Sequence, residues 1–185
     1  MSDQLEPEAP PPSLRLQPPQ PHEFLRLQPG FEYPHDVSRA SESNTPAFDA
    51  ALDARDLGRC VVCGTEGADG PHPRVHRAHI IGSTEVKTWA LLKHSGLVPG
   101  PAETAVHEPR NAVDLCALHH ADFDGHRFFI RWVPAARKFV FVNFSRERYL
   151  EGFHGKTVAL DPGHGHSPFP APFLVQEMRT RGFYP

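Results

Sequence analysis

Cys116-Ala117-Leu118-His119-His120-Ala121-Asp122-Phe123-Asp124 is the stretch that decides how this chain folds. It gathers a thiol, two adjacent imidazoles and two carboxylates into nine residues. A shorter clip upstream, Cys60-Val61-Val62-Cys63, uses the other two of the three cysteines. A structural zinc ion takes four Cys or His ligands in a tetrahedron, and they usually arrive as two clips of short spacing. Cys60 and Cys63 make one clip. Cys116 and His119 make the other, with the same two-residue gap. Such a site pins the end of one element to the start of the next, and its binding free energy is part of folding. The competing reading is a Cys60/Cys63 redox pair with Cys116 merely buried. That reading needs a helix after the Cys-x-x-Cys, where Gly64 and a loop follow instead.

Working outward, His120 and Asp124 stand four apart. One turn of α-helix puts them on one face, while His119 points ~100° away. Adjacent histidines can therefore serve two different ions. Upstream, residues 74–81 alternate weakly and read as a strand ending on Ala78-His79-Ile80-Ile81. Asn111 precedes a short apolar strand, residues 112–115.

The order Ala78-His79-Ile80-Ile81, Asn111, Leu115, Cys116, His120, Phe123, Asp124 resembles the HNH family of the His-Me finger (ββα-metal) superfamily. The likeness spans roughly residues 56–133. The nine-residue step from Asn111 to His120 and the four-residue step to Asp124 agree with the family pattern. The resemblance implies a role for each matching position. His79 matches the general base, which takes a proton from water and directs the hydroxide at phosphorus; an imidazole titrates near neutral pH and suits that task. His120 and Asp124 match the ligands of a catalytic ion. Asn111 matches the residue that fixes the loop and orients the base. The products implied are a 5′-phosphate and a 3′-hydroxyl. One position departs from the pattern: many members carry Asp, Glu or His before the base as a third ligand, and this chain has Ala78. A mixed nitrogen and oxygen pair suits Mn²⁺, Zn²⁺ or Ni²⁺ as well as Mg²⁺. His76 lies three residues from His79, on the opposite face of the strand, and is not expected to substitute.

The rest of the chain frames this centre. Nine of the 21 prolines fall between Glu6 and Pro34, so the region favours an extended backbone over a core. Residues 1–50 hold eight acidic and three basic side chains, and the remainder 14 acidic and 16 basic. An acidic arm, residues 1–46, thus precedes a neutral-to-basic body, residues 47–185. Net charge alone neither supports nor excludes a nucleic-acid partner. The arm repeats Leu14-Arg15-Leu16-Gln17-Pro18 as Leu25-Arg26-Leu27-Gln28-Pro29, which reads as two extended segments or as a partner-binding repeat. Thr45 and Pro46 can open a helix through Arg59 with Phe48, Leu52 and Leu57 on its apolar face. Residues 84–94 read as an amphipathic helix carrying Val86, Trp89 and Leu92. A Gly- and Pro-rich loop follows. Residues 127–133 and 138–144 read as a hairpin, and residues 173–181 as a last helix.

From Gly125 to Lys156 seven basic residues face two acidic ones. Arg127 and Arg131 share a strand face with Phe129, and with Lys138 they can hold phosphates; a plain solvated face is the alternative. His154, His164 and His166 read as loop histidines, and Trp89 and Trp132 as core. No apolar run approaches the ~20 residues of a membrane-spanning helix. No basic n-region or apolar h-region opens the chain, so an intracellular place, cytoplasmic or nuclear, is expected. The fold class expected is α+β: a zinc-stapled ββα-metal core with an added helix, a hairpin, a C-terminal helix and a proline-rich arm. The expected function is metal-dependent hydrolysis of DNA phosphodiesters with little sequence specificity, RNA being a possible substrate. Two rivals are a zinc-stabilised module that binds nucleic acid or protein without cutting, and a scaffold that binds through its arm.

Overall fold

The computed structural model describes residues 45–67 and 75–183 of the 185. The arm, apart from Thr45 and Pro46, and its repeat lie outside the described residues. Helix α1, Thr45–Asp56, opens with proline in its first turn, where the missing N–H has no intrahelical partner to lose. It buries Phe48, Ala51 and Leu52 at helical spacing. It stops three residues short of the expected end. Leu57 takes a left-handed φ of 57° and Gly58 one of 63°, which turns the chain toward the first clip. Leu57 is consequently 70% exposed rather than part of the apolar face.

Strand β1, Val75–His79, pairs antiparallel with β2, Ala112–Cys116. His79 lies opposite Ala112, Ala78 opposite Val113 and His76 opposite Leu115. Between these strands runs the added helix α2, Val86–His94. Trp89 and Leu92 enter a second cluster with Ile81, Val98 and Phe169, while Val86 is exposed, contrary to its expected place on the buried face. A 3₁₀ turn, Pro109–Asn111, leads into β2. Helix α3, Ala117–Asp124, follows β2 directly with Cys116 at its N-cap position.

Side chains alternate across a strand, so this two-stranded sheet has two distinct faces. Ala112 packs with Phe48 and Leu52 of α1. Ala78, Val113 and Leu115 pack with Phe123 of α3 in the main core. The sheet thus lies between α1 and α3, and the ββα unit expected from the sequence is present.

Strands β3, Phe128–Val133, and β4, Lys138–Asn143, form the hairpin. Phe128, Ile130 and Trp132 join Phe139 and Phe141 in the main core, as their alternation implies. Helix α4, Pro170–Thr180, starts three residues before the sequence reading placed it. Pro170 and Pro172 look like loop residues, yet both fall in the first turn, where backbone N–H groups have no intrahelical acceptor. Phe173 of α4 meets Phe139 at 5.5 Å between ring centres. Among the described residues, no helix is long and apolar enough to cross a membrane.

Candidate functional site

The first clip sits in the turn after α1. Gly64, at φ 73°, lets its N–H reach back 2.8 Å to the carbonyl of Cys60, folding Cys60 and Cys63 round one point. The second clip is the corner between β2 and α3. His119 Nδ1 lies 3.5 Å from Cys60 Sγ and 3.2 Å from Cys116 Sγ; Cys63 Sγ lies 3.9 Å from Cys116 Sγ. All four ligand atoms lie within 4.8 Å of one another. Around a zinc ion with bonds of about 2.3 Å to sulfur, neighbouring ligands sit roughly 3.5–3.8 Å apart. The separations of 3.2, 3.5 and 3.9 Å lie within a few tenths of an ångström of that range, so small side-chain shifts would close the four atoms on such an ion. A disulfide would bring two sulfurs to about 2.05 Å, and all three thiols are free. Burial pushes the Cys60 thiol up to about 12, and burial holds the His119 ring below its usual range. A neutral imidazole is the ligating form, and a bound cation would draw the proton off the thiol.

His120 turns the other way. His119 is 3% exposed and stands edge-on to Phe153, whereas the His120 side chain is 28% exposed. Its Nε2 is 3.5 Å from Asp124 Oδ2, with the Asp124 side chain 68% exposed. The doublet therefore addresses two separate places, as helical geometry requires. Among the described residues, the Cys60, Cys63, Cys116 and His119 group is the one in which three or more ligand atoms have already converged.

His79 sits at the end of β1. Its ring stacks on Phe48 at 5.3 Å with 6° between the planes. Its Nε2 lies 3.0 Å from the Val106 carbonyl oxygen. A carbonyl only accepts, so Nε2 carries a proton, and in the neutral ring Nδ1 is the nitrogen with the lone pair. The loop that supplies Val106 is held by Asn111, which is fully buried. Asn111 Nδ2 donates to the Ile81 and Ala105 carbonyls at 2.9 Å each, and Asn111 Oδ1 accepts from Ile81 N–H at 3.0 Å. All three of these bonds go to backbone, so Asn111 ties the segment after His79 to the loop whose carbonyl meets the His79 ring.

Three partners in this arrangement were not legible. Glu108, fully buried, accepts from the Glu103 and Arg110 N–H groups and from Arg110 Nε at 2.6 Å, making the Gly/Pro-rich loop rigid. Phe48 comes from a helix far back in sequence, and Val106 acts through its backbone. Only Glu108 left a trace, as a hydrogen-bond acceptor just before Pro109 at the start of a turn.

The expected phosphate-binding face is partly neutralised. Arg127 lies 3.5 Å from Asp122, 3.8 Å from Glu147 and 3.2 Å from the Tyr149 hydroxyl. Arg131 is paired with Glu177 of α4 through two nitrogens. Lys138 is exposed at the start of β4, as are Arg137, Arg146, Arg148 and Lys156 nearby. His154 accepts from Asn143 N–H and His164 from His166 N–H, so both do loop-packing work.

His76 lies on the strand face opposite His79, as its three-residue offset implied. It shares a strand face with Ala78, not with His79, and its ring centre stands 5.6 Å from that of His120.

Residues 60–131 match the sequence model of a family described as HNH endonuclease. The match begins at Cys60 and spans both clips, His79, Asn111, His120 and Asp124. No curated protein and no solved structure matches the chain.

Proposed function

We propose that this protein is a metal-dependent endonuclease that hydrolyses DNA phosphodiester bonds with little sequence specificity. The observation that carries the reading is the relay from Asn111 through the Ala105–Val106 segment to His79. It fixes the ring with Nε2–H donated to Val106 and leaves Nδ1 as a proton acceptor. A general base needs that tautomer and orientation, and a lone strand histidine does not. In the reaction, His79 Nδ1 takes a proton from water. The hydroxide forms a bond to phosphorus, and the bond from phosphorus to the 3′ oxygen breaks. A 5′-phosphate and a 3′-hydroxyl result.

His120 and Asp124 would hold the catalytic ion, Mg²⁺ or Mn²⁺ first, with Zn²⁺ or Ni²⁺ also compatible with a nitrogen and a carboxylate oxygen. When bound, a divalent ion offsets the charge that develops on the phosphoryl and leaving oxygens. Cys60, Cys63, Cys116 and His119 would hold structural zinc. The exposed cations Arg137, Lys138, Arg146, Arg148 and Lys156 favour contacts to phosphates over base edges. Arg127 and Arg131 would join them only by exchanging their carboxylate partners. The functional body is residues 47–185, with the acidic arm, residues 1–46, as an appendage.

A second reading has support of its own. Ala78 is fully buried among apolar side chains where many relatives of this pattern carry a third ligand. That favours a zinc-stabilised module that binds without cutting. Plasmid cleavage separates the two. Supercoiled DNA is incubated with wild type, His79→Ala and Asn111→Ala, each with EDTA, Mg²⁺ or Mn²⁺. The nuclease reading expects nicking by wild type with metal and none by His79→Ala. If wild type binds DNA and cuts under no metal, the binding module takes its place.

A further inference from the structure

We infer that His76 supplies the third protein ligand of the catalytic ion, in place of the side chain that Ala78 lacks. The inference rests on the reading of His120 and Asp124 as metal ligands. Residues 76 and 78 occupy the same face of β1, two strand positions or about 6.6 Å apart. That face is the one covered by α3, because Ala78, Val113 and Leu115 pack with Phe123. Ala78 sits deep in the packing, at 0% exposure, and a methyl group cannot ligate. His76 lies opposite Leu115, beside the end of β2 from which α3 departs. An imidazole there is long enough to recover part of the two-residue offset.

The geometry is close to what a shared ion needs. The His76 and His120 ring centres are 5.6 Å apart, at 49° between planes. Two imidazoles bonded to one ion at about 2.1 Å from each nitrogen hold their ring centres roughly 4.5–5.2 Å apart. The gap is therefore a few tenths of an ångström to about one. His76 is exposed, so rotation of its side chain meets little resistance. Asp124 Oδ2 already stands 3.5 Å from His120 Nε2. Two imidazoles and a carboxylate from a strand and a helix leave the remaining positions of the ion to water and a phosphate oxygen, the open arrangement that catalysis requires.

The test uses full-length protein carrying its structural zinc. Mn²⁺ is titrated and free Mn²⁺ is read from its EPR signal; Cu²⁺ bound at the same site is probed by pulsed EPR, which counts coupled imidazoles. His76→Ala and the volume-keeping His76→Gln are compared with wild type and His120→Ala. Both His76 variants are expected to weaken Mn²⁺ at least about tenfold, since loss of even an outer-shell partner of a metal ligand costs ~10–100-fold. The imidazole count should fall from two to one. Melting without added Mn²⁺ should not change, because the side chain is exposed. Unchanged Mn²⁺ affinity and an unchanged count in both variants would overturn this inference and leave the nuclease reading standing. If wild type and His120→Ala bind Mn²⁺ equally poorly, the reading of the helix as a metal site falls, and this inference with it.

Discussion

His119 and His120 are neighbours in the chain and face two different surroundings. On the His119 side, four ligand atoms lie within 4.8 Å of one another, two of the residues are buried, and aromatic rings close the rear. On the His120 side, two exposed or half-exposed groups sit 3.5 Å apart, with the His76 ring centre 5.6 Å from that of His120. Structural metal sites are closed and fully protein-ligated, whereas catalytic ones keep positions open to water and substrate. One helical turn carries both because successive residues diverge by ~100°. On the proposed reading the first centre supplies stability and the second chemistry, and each half can be attacked alone.

The largest effect should come from the closed centre. Structural zinc in small folds contributes about 10–16 kcal/mol, comparable with or above the ~5–15 kcal/mol total stability of a domain. Cys60→Ser or Cys116→Ser should abolish zinc binding and the cooperative melt, measured by metal analysis and circular dichroism. A cooperative fold at ordinary temperature in either variant would remove the stapling role. Next in size is His79→Ala. A positioned general base is worth about 10²–10⁴ in rate, so single-turnover cleavage should fall by that factor while zinc content and melting stay as in wild type. Asn111→Ala crosses the divide. It removes three side-chain hydrogen bonds at roughly 1 kcal/mol each and frees the loop that holds His79. Both melting temperature and cleavage should drop, and loss of only one would show that clamp and base are not coupled.

A smaller effect concerns β2, which carries Asp114 on the α1 face. Burial, then the charge of Asp56, raises its carboxyl to about 6. Its folded value lies above the unfolded one, so the stability it contributes is full below about pH 4 and is lost as pH rises through about 6. At 1.36 kcal/mol per unit over about two units, Asp114→Asn should stabilise the protein at pH 7.5 by roughly 1–3 kcal/mol and flatten that slope. Denaturant titrations at pH 5 and 7.5 read it directly. The smallest effect on stability belongs to the open centre. Asp124→Ala is an exposed change, expected to move stability by less than about 0.5 kcal/mol while raising the Mg²⁺ or Mn²⁺ needed for cleavage. A large loss of stability there would break the division of labour.

Much of this was legible in the sequence because it is local. The two clips, the doublet and the alternation of Phe128, Ile130 and Trp132 depend on spacing within a few residues. The step from Asn111 to Ile81 was legible only through resemblance to a family pattern. What was hidden is long-range or backbone-borne. Phe48 stacks on His79 from 31 positions away, and no periodicity announces that. Arg127 and Arg131 read as a basic strip because their partners, Asp122 and Glu147 for the first and Glu177 for the second, lie outside the hairpin. The prolines of α4 read as loop because the first turn of a helix tolerates them. His76 was set aside in the sequence because its strand face is opposite that of His79, and the strand register agrees. Its shared face with Ala78 is the separate observation on which the proposal for His76 rests.

Stepwise chelation tests the central claim most directly. Protein with bound zinc and added Mn²⁺ is titrated with a weak and then a strong chelator, with plasmid cleavage and the melting curve read at each step. Two separate transitions are predicted: cleavage is lost first with the melt unchanged and returns on adding Mn²⁺, and the fold collapses only when zinc is withdrawn. A single transition, in which cleavage survives until the protein unfolds, would mean that the open centre plays no part in the chemistry.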